Sequence, residues 1–273
     1  LNPFWPSPVI ESEVARIQDA VCRYGISIHS LMTSAFTRVN HLLHPHLQSR
    51  QAWSEWFARF ADLAARLGAR AIGSHFGILS VRDAHDPLRY RERVDEGVRR
   101  WQELSFYARD AGLEYIYFET MSIPREMAYT VAEARELCAR VNEHAGVPMV
   151  FCLDVGHAPH PDERDPYLWL SELGRDTRIV HLQQTEAGHS RHWPFISPYN
   201  ELGIIDPARV IASLCEARAG DVLLAFEISH RESYEQDSRV VDDLRASVAY
   251  WRRFLPHDGP CPSPLIANGE PLP

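Results

Sequence analysis

Four short stretches end in residues that bind metals or move protons: YIYFE at Glu119, FCLD at Asp154, RIVH at His181 and LLAFE at Glu227. Each of these groups follows a run of apolar and aromatic residues. A buried carboxylate is costly unless something pairs with it. Three carboxylates drawn together also repel, and the repulsion raises the pKa of at least one. A divalent cation removes both penalties. Three oxygen donors and one imidazole suit a single Mn²⁺, Mg²⁺, Co²⁺ or Zn²⁺, leaving positions for water or substrate oxygens. Structural roles compete for the same residues. Asp154 can cap a helix, Glu119 and Glu227 can pair with Arg125 and Arg231, and His181 can be a satisfied core histidine.

These residues need elements to place them. Helical periodicity alternates with short apolar, β-branched or aromatic runs. Helices are predicted near 10–24, 49–68, 88–111, 131–145, 166–174, 207–218 and 237–254. Strands are predicted at 26–31, 70–75, 114–119, 148–154, 178–183 and 222–228. Strict alternation implies a parallel sheet covered on both faces. An open doubly wound sheet usually carries a glycine-rich phosphate turn after its first strand; neither GxGxxG nor GxxxxGK[ST] occurs here. Polar residues instead close strand after strand: His29, His75, Glu119, Asp154, His181 and Glu227. Such ends converge on one rim only in a closed barrel, where catalytic groups belong. The expected fold is α/β, a (β/α)8 TIM barrel. Six strands are predicted against the eight a barrel needs, and the chain opens on a loop and a helix. The expectation is therefore a barrel lacking its first β-α-β segment, a single domain over 1–255, with an extended proline-rich tail over 256–273.

Composition narrows the function. Of 273 residues 45% are hydrophobic, enough for a substantial core. The net charge of −9 weighs against a nucleic-acid partner. No apolar run approaches the roughly 20 residues needed to span a bilayer. The five cysteines are scattered, without a CxxC pair, which reads as a reduced cytoplasmic protein without a disulfide framework. A homo-oligomer is left open.

The strand-end Glu of YIYFET, the DxGH of CLDVGH, the His of VHLQQT and the Glu of AFEIS, in that order over roughly residues 25–250, resemble the xylose-isomerase-like barrels. That family includes ketose 3-epimerases, sugar-phosphate isomerases and zinc-dependent apurinic endonucleases. The resemblance implies one divalent metal ion held by Glu119, Asp154, His181 and Glu227, with His157 on the substrate. In the epimerase branch it makes the two glutamates, Glu119 and Glu227, an acid/base pair. A proton α to a ketose carbonyl is weakly acidic, and a metal on the neighbouring oxygens stabilises the enediolate. One carboxylate removes the proton and a group on the opposite face returns one. The QQT and RHWPF of residues 181–206 resemble the sugar-phosphate isomerase or epimerase branch, some members of which act on phosphorylated four-carbon ketoses. Candidate substrate contacts are therefore Gln183, Arg191 (for a phosphate or hydroxyl), His192, His157, His75 and His29. The alternatives are an endonuclease-like zinc phosphodiesterase and a catalytically inactive metal-binding barrel. For the endonuclease, His29 and His75 match extra ligands, but its Asp-x-His is Ser190-Arg191-His192 here.

Overall fold

The computed structural model describes residues 1–34, 37–157, 162–229 and 239–255. The chain forms two compact units, Leu1–Cys152 and Leu153–Pro273.

The first unit begins with α1 (Ser7–Tyr24), then β1 (Ser30–Met32), α2 (Leu47–Arg66), β2 (Ala71–His75), α3 (Val81–His85), α4 (Pro87–Asp110), β3 (Tyr115–Glu119), α5 (Val131–Asn142) and most of β4 (Met149–Asp154). Adjacent strands pair in parallel: Leu31 lies opposite Ile72, Gly73 opposite Tyr117, His75 opposite Glu119, and Glu119 opposite Cys152. Every residue of β2, β3 and β4 is buried, as expected of strands covered on both faces. The starts of α4 and α5 carry the caps that free backbone N–H groups require. The Asp86 carboxylate accepts from Leu88 and Arg89 N–H ahead of Pro87, and Thr130 Oγ1 accepts from Glu133 N–H. Aromatic side chains fix the helix layer. Trp101 Nε1 donates to the Phe76 carbonyl at 2.9 Å, and Phe76 meets Phe118 edge-on with centroids 5.6 Å apart.

The second unit holds the end of β4, then α6 (Pro166–Leu173), β5 (Thr177–Leu182), α7 (Tyr199–Leu202), α8 (Pro207–Glu216), β6 (Leu223–Phe226) and α9 (Val240–Arg252). β5 and β6 are parallel, with His181 opposite Ala225. Asp165 and Asp206 cap α6 and α8, each followed by proline. Trp251 of α9 packs against Phe195 and Phe226.

Helices and strands thus alternate as the periodicity predicts, with one correction. The strand expected at 26–31 is β1, Ser30–Met32. Gly25 closes α1 in the left-handed conformation, so the chain is still leaving the helix at Ile26, which is exposed. Laddering begins only where Arg70 N–H donates to the His29 carbonyl. Cys22 is exposed and Cys138 and Cys152 are buried, whereas Cys215 is disulfide-bonded, against the expectation of no disulfide framework. No helix among the described residues is long and apolar enough to cross a membrane. The tail expected over 256–273 lies outside the described residues.

Candidate metal centre

The second unit brings three of the four strand-end groups together. Asp154 closes β4, His181 is the penultimate residue of β5, and Glu227 directly follows β6. Ligand atoms of Asp154, His181 and Glu227 all lie within 4.8 Å of one another. The Glu227 backbone is pinned by its N–H to the Leu182 carbonyl at 2.9 Å. Its Oε2 is 2.9 Å from His181 Nδ1. The carboxylate oxygens and the imidazole nitrogen brought this close together are donors of the right chemical type for a shared cation. Burial opposes ionisation of Glu227, but the His181 imidazole beside it, with Asp154 and His192, brings its pKa down to about 2. At neutral pH Glu227 is therefore in the form a cation binds.

Around these residues is a polar shell. The Asp154 carboxylate accepts from Gly156 N–H at 2.6 Å and from Gln183 Nε2, which is 2.8 and 3.0 Å from its two oxygens. Asp154 thus turns back on its own loop, and the next helix among the described residues, α6, is capped by Asp165. His157, buried, sits with Nε2 3.9 Å from Asp154 Oδ2. The His157 and His192 rings meet edge-on with centroids 5.9 Å apart. Asp154, His157 and His192 form a second set of ligand atoms within 4.8 Å of one another. His192 Nδ1 contacts the Glu227 carbonyl at 3.0 Å and its Nε2 the Ser190 hydroxyl at 3.1 Å.

Two further residues on the sequence-derived roster are adjacent in the first unit. His75 and Glu119 close β2 and β3 opposite one another, both buried. His75 Nε2 bonds the Val39 carbonyl at 3.0 Å, and burial lowers its pKa. Arg125, the suggested ion-pair partner of Glu119, instead donates to the Leu79 carbonyl; Arg231, suggested for Glu227, lies outside the described residues.

Two expected contacts stand elsewhere. His29 precedes β1, with Nε2 3.5 Å from the hydroxyl of Tyr115 at the start of β3. That is the strand end opposite Glu119, roughly 13 Å away at about 3.3 Å per residue. Arg191 is half-exposed and committed to Glu186, to which both Nε and Nη2 donate, with the guanidinium over the Trp193 ring. Composition and spacing do not reveal two other features. Gly156 leaves the space in which the Gln183 side chain lies. Buried Glu126 grips Arg38 bidentately at 2.6 and 2.7 Å. The glycine of DxGH signals the first; nothing in PREM signals the second.

Residues 2–253 match the family model of the xylose isomerase-like TIM barrel. The chain belongs to that family. A curated relative, D-erythrulose 1-phosphate 3-epimerase from Brucella abortus (strain 2308), is 32% identical over 256 residues, covering 92% of this chain and 83% of the relative. The solved structure of a proposed xylose isomerase from Rhodospirillum rubrum ATCC 11170 superposes with a TM-score of 0.83 at 26% identity, over 93% of this chain and 86% of that one. D-psicose 3-epimerase with D-tagatose, from Clostridium cellulolyticum H10, shares the fold with a TM-score of 0.67 at 13% identity, over 92% and 85% of the two chains. The protein is an isomerase-class enzyme, a homologue of ketose epimerases.

Proposed function

We propose that the protein is a divalent-metal-dependent 3-epimerase of a short ketose phosphate, with a phosphorylated ketotetrose as substrate. Glu119, Asp154, His181 and Glu227 hold the ion in this reading. The observation that carries it is the convergence of Asp154, His181 and Glu227 on one point. Glu119 is included in this reading because it closes β3 as Asp154 closes β4. The substrate class rests on the relative that is 32% identical over 92% of this chain.

When bound, the cation withdraws charge from the carbonyl and adjacent hydroxyl oxygens, which lowers the cost of an enediolate. The chain supplies the rest. One of Glu119 and Glu227 takes the proton from C3 as the C–H electron pair moves toward the carbonyl. The other returns a proton to the opposite face, and the carbon inverts without net redox change. His157 and His192 line the substrate side. This chain contains no lysine, so no side-chain amine is available for a Schiff base, and carboxylate acid/base chemistry is the route its residues offer. A phosphorylated sugar is too charged to cross a bilayer unaided, which supports the reading of a cytoplasmic enzyme.

The test is incubation with D-erythrulose 1-phosphate and Mn²⁺ in D₂O, followed by proton NMR and optical rotation. Loss of the C3 proton signal with inversion at C3 is expected. Absence of C3 exchange with every one of Mn²⁺, Mg²⁺, Co²⁺ and Zn²⁺ overturns this substrate assignment.

A further inference from the structure

Gln183 sits beneath the ligand cluster, fully buried at 0% exposure. Its amide faces two kinds of neighbour. On one side lie the Asp154 oxygens, 2.8 and 3.0 Å from Nε2. On the other, His192 N–H donates to Oε1 at 2.7 Å. The Ser190 hydroxyl is 3.0 Å from Nε2 and 3.3 Å from Oε1. A carboxylate can only accept and a backbone N–H can only donate, so the amide fits in one orientation. A glutamate here would set a second carboxylate against Asp154, and an aliphatic residue would leave Asp154 and the His192 N–H without these bonds.

The neighbouring backbone preserves the arrangement. A Cβ at Gly156 would come within 2.3 Å of Gln183 Cδ and 2.5 Å of Nε2. The glycine of DVGH is therefore the space the amide fills. Gln183 ties two pieces of the site into one body: the Asp154 carboxylate, and the 190–192 loop whose His192 ring bonds the carbonyl of Glu227.

We infer that Gln183 is a positioning residue, not a substrate contact: it fixes the Asp154 carboxylate for metal binding and locks the His192 loop to it. This rests on the metal-site reading above. Partners that orient a ligand commonly contribute about 10–100-fold in metal affinity.

The test uses the metal alone, without sugar. Binding of Mn²⁺ is measured by electron paramagnetic resonance, and the visible absorption of bound Co²⁺ reports ligand geometry. Gln183→Met is expected to weaken Mn²⁺ binding about 10–100-fold and to shift the Co²⁺ bands, while circular dichroism of the metal-free protein is unchanged. Gly156→Ala displaces the amide from the opposite side and is expected to do the same, so it decides the matter should Gln183→Met fail to fold. A folded variant with natural Mn²⁺ affinity and an unshifted Co²⁺ spectrum overturns the clamp. If the natural protein binds neither ion, the metal site itself is overturned. Metal binding without ketose-phosphate turnover counts against the substrate assignment and leaves the clamp standing.

Discussion

Asp154 is oriented by its own loop and by the Gln183 side chain just after β5, and a Glu227 carboxylate oxygen stands 2.9 Å from His181 Nδ1. The residues closest to the proposed cation therefore have the most specific predicted effects. Glu227→Gln keeps the shape but removes the charge and the base. C3–H exchange should fall roughly 10²–10⁴-fold, the usual contribution of a positioned acid or base. Deuterium uptake measures it, and a loss below threefold would remove Glu227 from the chemistry. Arg191 is predicted to matter little. Its guanidinium is engaged by Glu186 on the surface, where such pairs contribute about 0–1 kcal/mol. Arg191→Ala should leave KM for the ketose phosphate within about threefold (roughly 0.6 kcal/mol). A tenfold rise would show that the arginine leaves Glu186 to grip the phosphate.

At the scale of elements, the Tyr117 ring of β3 lies over Gly73 of β2 and leaves no room for a side chain there. A Cβ on Gly73 would lie 2.1 Å from the Tyr117 ring, which crosses to donate to the Leu31 carbonyl at 3.1 Å. Gly73→Ala should destabilise the protein by about 1–3 kcal/mol, as overpacking does, and move the urea midpoint down. An unchanged midpoint would mean that Tyr117 has another rotamer of equal energy. The same elements show what is legible in a sequence. YIYFE and MVFCLD are continuous apolar runs ended by a charge, so both the buried strand and its functional end can be read from one stretch. ISIHSL alternates just as plausibly, but pairing decides, and only Ser30–Met32 find partners on β2. His29 consequently stands beside Tyr115 at the start of β3. The pairing of Arg191 with Glu186 is not legible in the sequence, because both stand on one loop and loop geometry leaves no periodic trace.

For the molecule as a whole, buried histidines tie stability to pH. His41 is completely buried. Burial, reinforced by nearby His75 and partly offset by its bond to the His75 carbonyl, holds its pKa well below 6.5. His75 is lowered as well, chiefly by burial. The folded state keeps both rings neutral, whereas the unfolded chain protonates them near the ordinary value. Below about pH 6.5 the unfolded state binds more protons. Stability is then fully present above that pH and declines as pH falls toward the folded-state values, by up to about 1.4 kcal/mol per pH unit for each ring. Urea unfolding in EDTA at pH 7.5 and 5.5 checks this, and equal midpoints would contradict it. Saturating Mn²⁺ at neutral pH should raise the midpoint, because a ligand that binds only the folded state stabilises it. This behaviour is not readable from NHLLHPHL, whose three histidines look alike until packing buries His41 and leaves His46 exposed.

Crystals grown with Mn²⁺ and measured for its anomalous scattering test the central claim most directly. The account predicts one strong peak about 2.0–2.3 Å from oxygens of Glu119, Asp154 and Glu227 and a nitrogen of His181. A protein saturated with Mn²⁺ that shows no peak there, or a peak that Glu227 and His181 do not touch, would contradict it.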